Sequence, residues 1–314
     1  MELNRGAVFL SVKDYNENWN YARLVIKKGF KNMYYFVSEQ GERVNGHFEV
    51  EVKDEISEKE LNDFMKIFDM SGKYHNITQI KEMVVLNGFD FKKYMAYENI
   101  YKMSEDKVDH EQMILDANRL VLNYATSIKT YIDMETRILN KEKGKEEQKD
   151  FHETCAHFYD TSKEYRFWVN LRNYAVHCEL PYCGYRESEA GERAIFCTKE
   201  HLLEFDNWKH SKKDILEMED EIDLPAMVDE MGGIIYALYI DFFRYFGDEI
   251  IDAMERFSKF CEKYDVKHPI IMKLPKKGSF EGARLMPLPI EHLFDSFDVL
   301  KNHPKVNITI VSEK

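Results

Sequence analysis

Apolar positions along this chain recur mostly with helical spacing, broken by a few stretches of strand-like alternation. Over residues 17–37, Trp19, Ala22, Ile26, Met33 and Val37 fall at helical intervals and predict a helix. The period changes over 41–52. There Phe48, Val50 and Val52 alternate with His47, Glu49 and Glu51, and Asn45-Gly46 just before them forms a hairpin turn signal. Ser57 with Glu60 three residues on is a capping box, followed by Leu61, Phe64, Met65 and Phe68 on one helix face. Residues 1–105 therefore read as a mixed, mainly helical N-terminal region without catalytic spacing.

The strongest helical signal covers about 109–140. Ile114, Ala117, Val121, Tyr124, Ile128, Tyr131 and Ile138 mark an apolar seam that only Glu135 interrupts. A charged link over 140–150, containing Gly144, reads as a solvated helix end or turn. A second long helix is expected from about 151 to 178, stopped with the help of Pro181, and the two should form a helical hairpin. Between 182 and 197, Gly184 and Gly191 flank a polar centre and suggest a β-hairpin or ordered loop. Helical character resumes near Thr198, and again after Pro225 through residue 264, with Gly232, Gly233 and Gly247 as points of kinking or division. The last 50 residues hold five of the seven prolines, which argues against another long helix. Extended pieces at 270–274 and 306–311 make this end a small cap. The expected fold is mainly α. A helical core over 106–264, with a hairpin insertion at about 182–197, lies between the region 1–105 and the cap 265–314.

Composition narrows the functional classes. The 314 residues include 44% hydrophobic and 14% aromatic side chains, enough for a packed core. No apolar run nears the roughly 20 residues of a membrane span, and residues 1–10 lack a secretion signal's apolar length and cleavage site. A cytoplasmic protein is the expectation. Five cysteines (Cys155, Cys178, Cys183, Cys197 and Cys261), none in C-x-x-C spacing, suit reduced thiols better than disulfides. The net charge of −13 speaks against a broad basic surface for nucleic acid, though an enzyme gripping a few phosphates needs only a local patch.

One short constellation carries chemistry: Arg172-Asn173-Tyr174-Ala175-Val176-His177 at the end of the second helix. It is the only R-x-x-x-x-H in the chain, and chance would supply the R-N-x-x-x-H form roughly 0.02–0.03 times in this composition. The motif resembles the signature of the HEPN superfamily (higher eukaryotes and prokaryotes nucleotide-binding domains). Many of that superfamily's members are metal-independent ribonucleases of toxin–antitoxin, abortive-infection and other antiviral systems. The resemblance covers six residues and implies an HEPN-like bundle and an RNA substrate cut without a cofactor or metal. It also implies products with a 2′,3′-cyclic phosphate and a 5′-OH, and an antitoxin or regulatory protein as a partner.

The residue types fit that chemistry. RNA brings its own nucleophile, the 2′-OH. His177, of a type that titrates near neutrality, can exchange a proton with it or with the leaving oxygen. Arg172 stays charged and can hold two phosphoryl oxygens in its planar fork, while Asn173 orients the phosphate, the ring or a neighbouring helix. Five positions along a helix turn through roughly 500°, leaving Arg172 and His177 about 140° apart. Either the helix ends between them or a second copy completes the site; the resemblance to HEPN ribonucleases, which commonly build one composite site from two subunits, implies the second, so a homodimer with both motifs facing the two-fold axis is expected. Lys163, Tyr165 and Arg166 are candidates to guide the RNA backbone or stack on a base. The plainer alternative makes Arg172 a cap for helix carbonyls and His177 a dipole contact within a non-catalytic binding module. His152-Glu153-Thr154-Cys155-Ala156-His157 misses H-E-x-x-H by one position, Asn123 is a weak supporting candidate, and no G-x-G-x-x-G or G-x-S-x-G occurs.

Overall fold

The computed structural model describes residues 8–13, 19–25, 34–44, 47–266, 269–275, 283–304 and 306. Among them the chain is mainly helical, with one six-stranded sheet and one two-stranded hairpin. It divides into two compact units that differ from the sequence-based division. One holds the described residues of 1–74 and 246–302, the other those of 75–245 and 303–314.

The first unit is built on the sheet. Strands β1 (Val8–Lys13), β2 (Trp19–Val25), β3 (Tyr34–Val44) and β4 (His47–Ile56) are joined by β7 (Ile270–Lys273) and β8 (Arg284–Pro287), in the order β1-β2-β4-β3-β7-β8. Only β2 and β4 run parallel. The expected helix over 17–37 is thus replaced by β2 and the start of β3, while Ile26 and Met33 lie outside the described residues. Trp, Tyr, Val and Phe suit a pleated surface, and ladders to distant strands override a local helical spacing. Val44 pairs with His47, so β3 and β4 are joined by two residues, Asn45 and Gly46, which themselves lie outside the described set. The backbones of β1 and β8 approach within 8 Å, so the sheet curls back towards itself. The expected cap is no separate piece, because β7 pairs with β3 and extends the sheet. Between those prolines sits a 12-residue helix, α10 (Ile290–Lys301). All of the extended piece at 306–311 except Val306 lies outside the described residues.

Helix α1 (Glu58–Met95) opens with the expected capping box. The Ser57 N–H donates to Glu60 Oε2 at 3.1 Å and the Glu60 N–H to Ser57 Oγ at 3.2 Å. Its first turns bury Leu61, Phe64, Ile67 and Phe68 against Phe36 of β3, Ile271 of β7, and Ala253 and Phe257 of α9 (Gly247–Tyr264). Leu293 of α10 closes this core.

The second unit centres on α3 (His110–Glu142), which has the extent the sequence predicts and packs on α4 (Lys145–Thr161) and α5 (Lys163–His177). The link at 140–150 contains the turn between α3 and α4, where Gly144 has a φ of +115° that favours glycine. The long helix expected over 151–178 is two helices. Ser162 takes an extended conformation between them and its Oγ accepts from the Tyr165 N–H at 3.1 Å, ending one helix and capping the next. Helices α7 (Ser211–Glu217) and α8 (Val228–Arg244) pack on α5, α6 (Lys199–Leu203) packs on α7, and α2 (Tyr97–Glu105) packs on the hairpin of β5 (Gly184–Glu187) and β6 (Arg193–Phe196), which also meets α3. The hairpin lies where expected, and Pro225 opens a short 3-10 turn before α8. No described helix is long and apolar enough to cross a membrane.

Candidate active site

Helix α5 is fixed on one side by aromatic packing. Phe167, Trp168 and Tyr174 are buried; Phe167 and Tyr174 both stack on Trp208, with centroids 5.6 and 5.4 Å away. The Trp168 Nε1–H donates to the Met227 carbonyl at 3.3 Å, and Asn170 Nδ2 donates to Ser211 Oγ at 2.9 Å. With that face committed, Arg172 and Asn173 are left half-buried and Val176 and His177 exposed. At 100° per residue these four side chains spread over about 140° of helix surface, in the order Arg172, Val176, Asn173, His177.

The motif residues are chemically unspent. Five arginines among the described residues are half-buried: Arg166, Arg172, Arg193, Arg244 and Arg256. Four of them meet a carboxylate: Arg166 with Asp214, Arg193 with Glu105, Arg244 with Asp241, and Arg256 with Asp252. Arg172 meets none among the described residues, and no described side-chain hydrogen bond engages Asn173 or His177. Arg172 does not cap carbonyls of its own helix, so that part of the plainer alternative is absent here. His177 does occupy the last turn of α5, where an imidazolium meets the negative end of the dipole.

Helix α5 continues through Arg172 to His177 and stops there, so the two side chains do not converge by the helix ending between them. Hollows of about 590, 310 and 600 Å³ open elsewhere in this unit, and none is lined by Arg172, Asn173 or His177. Within one chain the motif is an open surface stripe.

Two of the expected RNA contacts are corrected by the structure. Tyr165 is buried at 4% exposure and cannot stack on a base from that position. Arg166 clamps Asp214 with two hydrogen bonds of 2.7 and 2.9 Å and donates to the carbonyls of Tyr159 and Asp160 at the end of α4. Four of that guanidinium's five N–H donors are thus spent inside the protein, and it holds α4, α5 and α7 together instead of presenting an open fork to a phosphate. Lys163 is exposed, with only Glu164 at 3.9 Å. Asn123 is exposed on α3 and makes no described hydrogen bond to the motif.

Thiol chemistry is not prepared here. Burial pushes the Cys155 thiol up to about 12. Burial also raises Cys178 at the end of α5, helped by the charges of Glu204 and Glu179. Those same acidic side chains, with His201, form a group beside the motif that sequence spacing does not reveal, since Glu179 lies 22 and 25 residues before His201 and Glu204 and only the packing of α6 against the end of α5 brings it to them. A second polar group, Asp150, Asp241, Arg244, Tyr245 and His303, borders the 600 Å³ hollow, and its carboxylates are engaged by Arg244.

No protein-family model, curated protein or solved structure matches the chain. The likeness to HEPN proteins therefore rests on the residues of α5 alone.

Proposed function

We propose that this protein is a metal-independent endoribonuclease of the toxin or antiphage-effector kind, working as a homodimer on an HEPN-like helical core. The observation that carries this reading is the guanidinium of Arg172, which has no partner among the described residues and lies half-buried on the same accessible stripe as Asn173 and His177. Four comparable arginines have found carboxylates. A positive fork left open beside an imidazole is suited to a phosphodiester.

In the proposed reaction the 2′-oxygen attacks the adjacent phosphorus as its proton passes to a base. The bond from phosphorus to the 5′-oxygen breaks, and that oxygen takes up a proton. The products are a 2′,3′-cyclic phosphate and a 5′-hydroxyl, with no external nucleophile consumed. A two-fold pair of α5 helices supplies two imidazoles for these two proton transfers and two guanidiniums for the charge building on the phosphoryl oxygens. Lys163 remains as a contact for the RNA backbone.

The test is incubation of purified protein with total RNA in EDTA, with mapping of the ends produced. The wild type should cut, His177→Ala should lose about 10²–10⁴ of the rate, and Arg172→Ala about 10²–10³. Intact RNA with the wild type, or equal cutting by His177→Ala, would overturn the assignment. A second reading, a non-catalytic protein-binding module, draws on a different face. Met83, Leu86 and Phe89 of α1 are 56 to 60% exposed, and Phe89 borders the 590 Å³ hollow. Under that reading RNA stays intact and polar substitutions on α1, not on α5, abolish function.

A further inference from the structure

We propose that the 590 Å³ hollow between α1, α3 and α8 binds an amphiphilic anion, a small molecule with an apolar chain and a single carboxylate head. Its floor is made by Val84, Tyr124, Val228 and Ile235, each no more than 7% exposed, and Val85 and Phe89 stand as an outer wall open to solvent. Such a volume and so apolar a lining are those of small-molecule sites. Below the mouth, the one polar side-chain atom among the lining residues is the Tyr124 hydroxyl. It is already spent on the Val228 carbonyl at 3.3 Å. Water on this floor finds few partners, and a ligand body lying there gains by apolar burial alone.

One residue leaves the space open. On α8 the lining positions Val228, Asp229, Gly232 and Ile235 share one arc of the helix, and at about 100° per residue position 232 falls near its middle. A Cβ at Gly232 would meet no atom within 4 Å, so a larger side chain there grows into the hollow. Gly88 of α1 is a different case. A Cβ on it would stand 2.9 Å from both Tyr124 and Val228, so the packing of α1 requires that glycine. No such contact accounts for Gly232, although glycine is among the poorest helix formers.

The mouth selects the head group. It carries two lysines against one aspartate, on a chain whose net charge is −13. Lys92 Nζ meets Asp229 Oδ2 at 2.5 Å, while Lys93 is exposed and has no ion pair among the described residues. A carboxylate seated here meets Lys93 as its chain lies on the floor. An ammonium head would face a carboxylate that Lys92 already holds. Entry with the chain first requires a molecule free in solution, since a bilayer lipid keeps its chains in the membrane. None of the lining residues belongs to α5, and the site stands whether or not the chain cuts RNA.

The test is calorimetric titration of the full chain with hexanoate, octanoate and decanoate below their micellar concentrations, and with decanol and decylammonium. One decanoate should bind per chain, more tightly than decanol or decylammonium, and each added pair of methylenes should tighten binding about tenfold. Lys93→Gln should weaken decanoate about two- to fivefold and leave decanol unchanged. Gly232→Leu fills the hollow and should weaken decanoate about tenfold or more, with the thermal midpoint not lowered. Gly233→Leu puts the same side chain at the next position, equally open but off the lining arc, and should bind as the wild type does. If Gly232→Leu fails to fold, the head-group series and Lys93→Gln decide. No binding of decanoate, equal binding of decylammonium, or undiminished binding by folded Gly232→Leu would overturn the proposal.

Discussion

Glu135 brings a carboxyl into the middle of α3, at 0% exposure, where Tyr131 donates to one oxygen and the other has no partner among the described residues. Burial holds its pKa well above the ordinary carboxylate range, and the Tyr131 hydrogen bond only partly opposes this. The folded chain therefore keeps a proton that the unfolded chain releases near pH 4–5. Stability from this group is fully present below the unfolded pKa and falls as pH rises, by up to about 1.4 kcal/mol per pH unit. Urea unfolding from pH 5 to 8 should show the wild type losing stability relative to Glu135→Gln, and parallel profiles would refute it. The sequence marked Glu135 as the one break in an apolar seam, so its burial was legible there. The state of Arg166 was not, because its partner Asp214 stands 48 residues away and only the fold brings them together. Arg172 poses the converse case: the motif identifies it, but that it lacks a carboxylate is a fact of packing.

At the scale of elements, Ser162 decides how many helices carry the motif. Apolar spacing ran on through this position, so one helix was expected. The break is made by a local hydrogen bond from the Tyr165 N–H to the serine hydroxyl, which periodicity does not register. Ser162→Ala should lower stability by about 1 kcal/mol in thermal or urea unfolding, and an unchanged midpoint would show that the cap contributes nothing. The capping box at Ser57, the extent of α3 and the hairpin after residue 182 were all legible, since each is written in neighbouring residues. Gly184 shows why the hairpin keeps its glycine: a Cβ there would stand 2.4 Å from the Phe196 ring across the pair. The sheet was mostly illegible. Its ladders join residues as far apart as Tyr34 and Lys273, and no local pattern announces such pairing.

For the whole molecule, the proposed function requires two chains. One copy leaves Arg172 and His177 spread around α5 without a cleft, and Val176, 56% exposed, lies between them on the stripe. A homodimer should appear by light scattering at twice 37.5 kDa. Val176→Glu should yield monomers and lose most of the RNA cleavage with them; cleavage by a monomer would dismiss the shared site. The division of the chain was misread at this scale because β7, after residue 265, pairs with β3 near the start and β8 joins through β7, which linear reading cannot foresee. That same sheet, with β1 brought back within 8 Å of β8, leaves its two outer strands screening one another. An open flank invites a foreign strand to add on and grow into an aggregate. Addition of a foreign strand at either flank of this sheet is therefore hindered by the other flank.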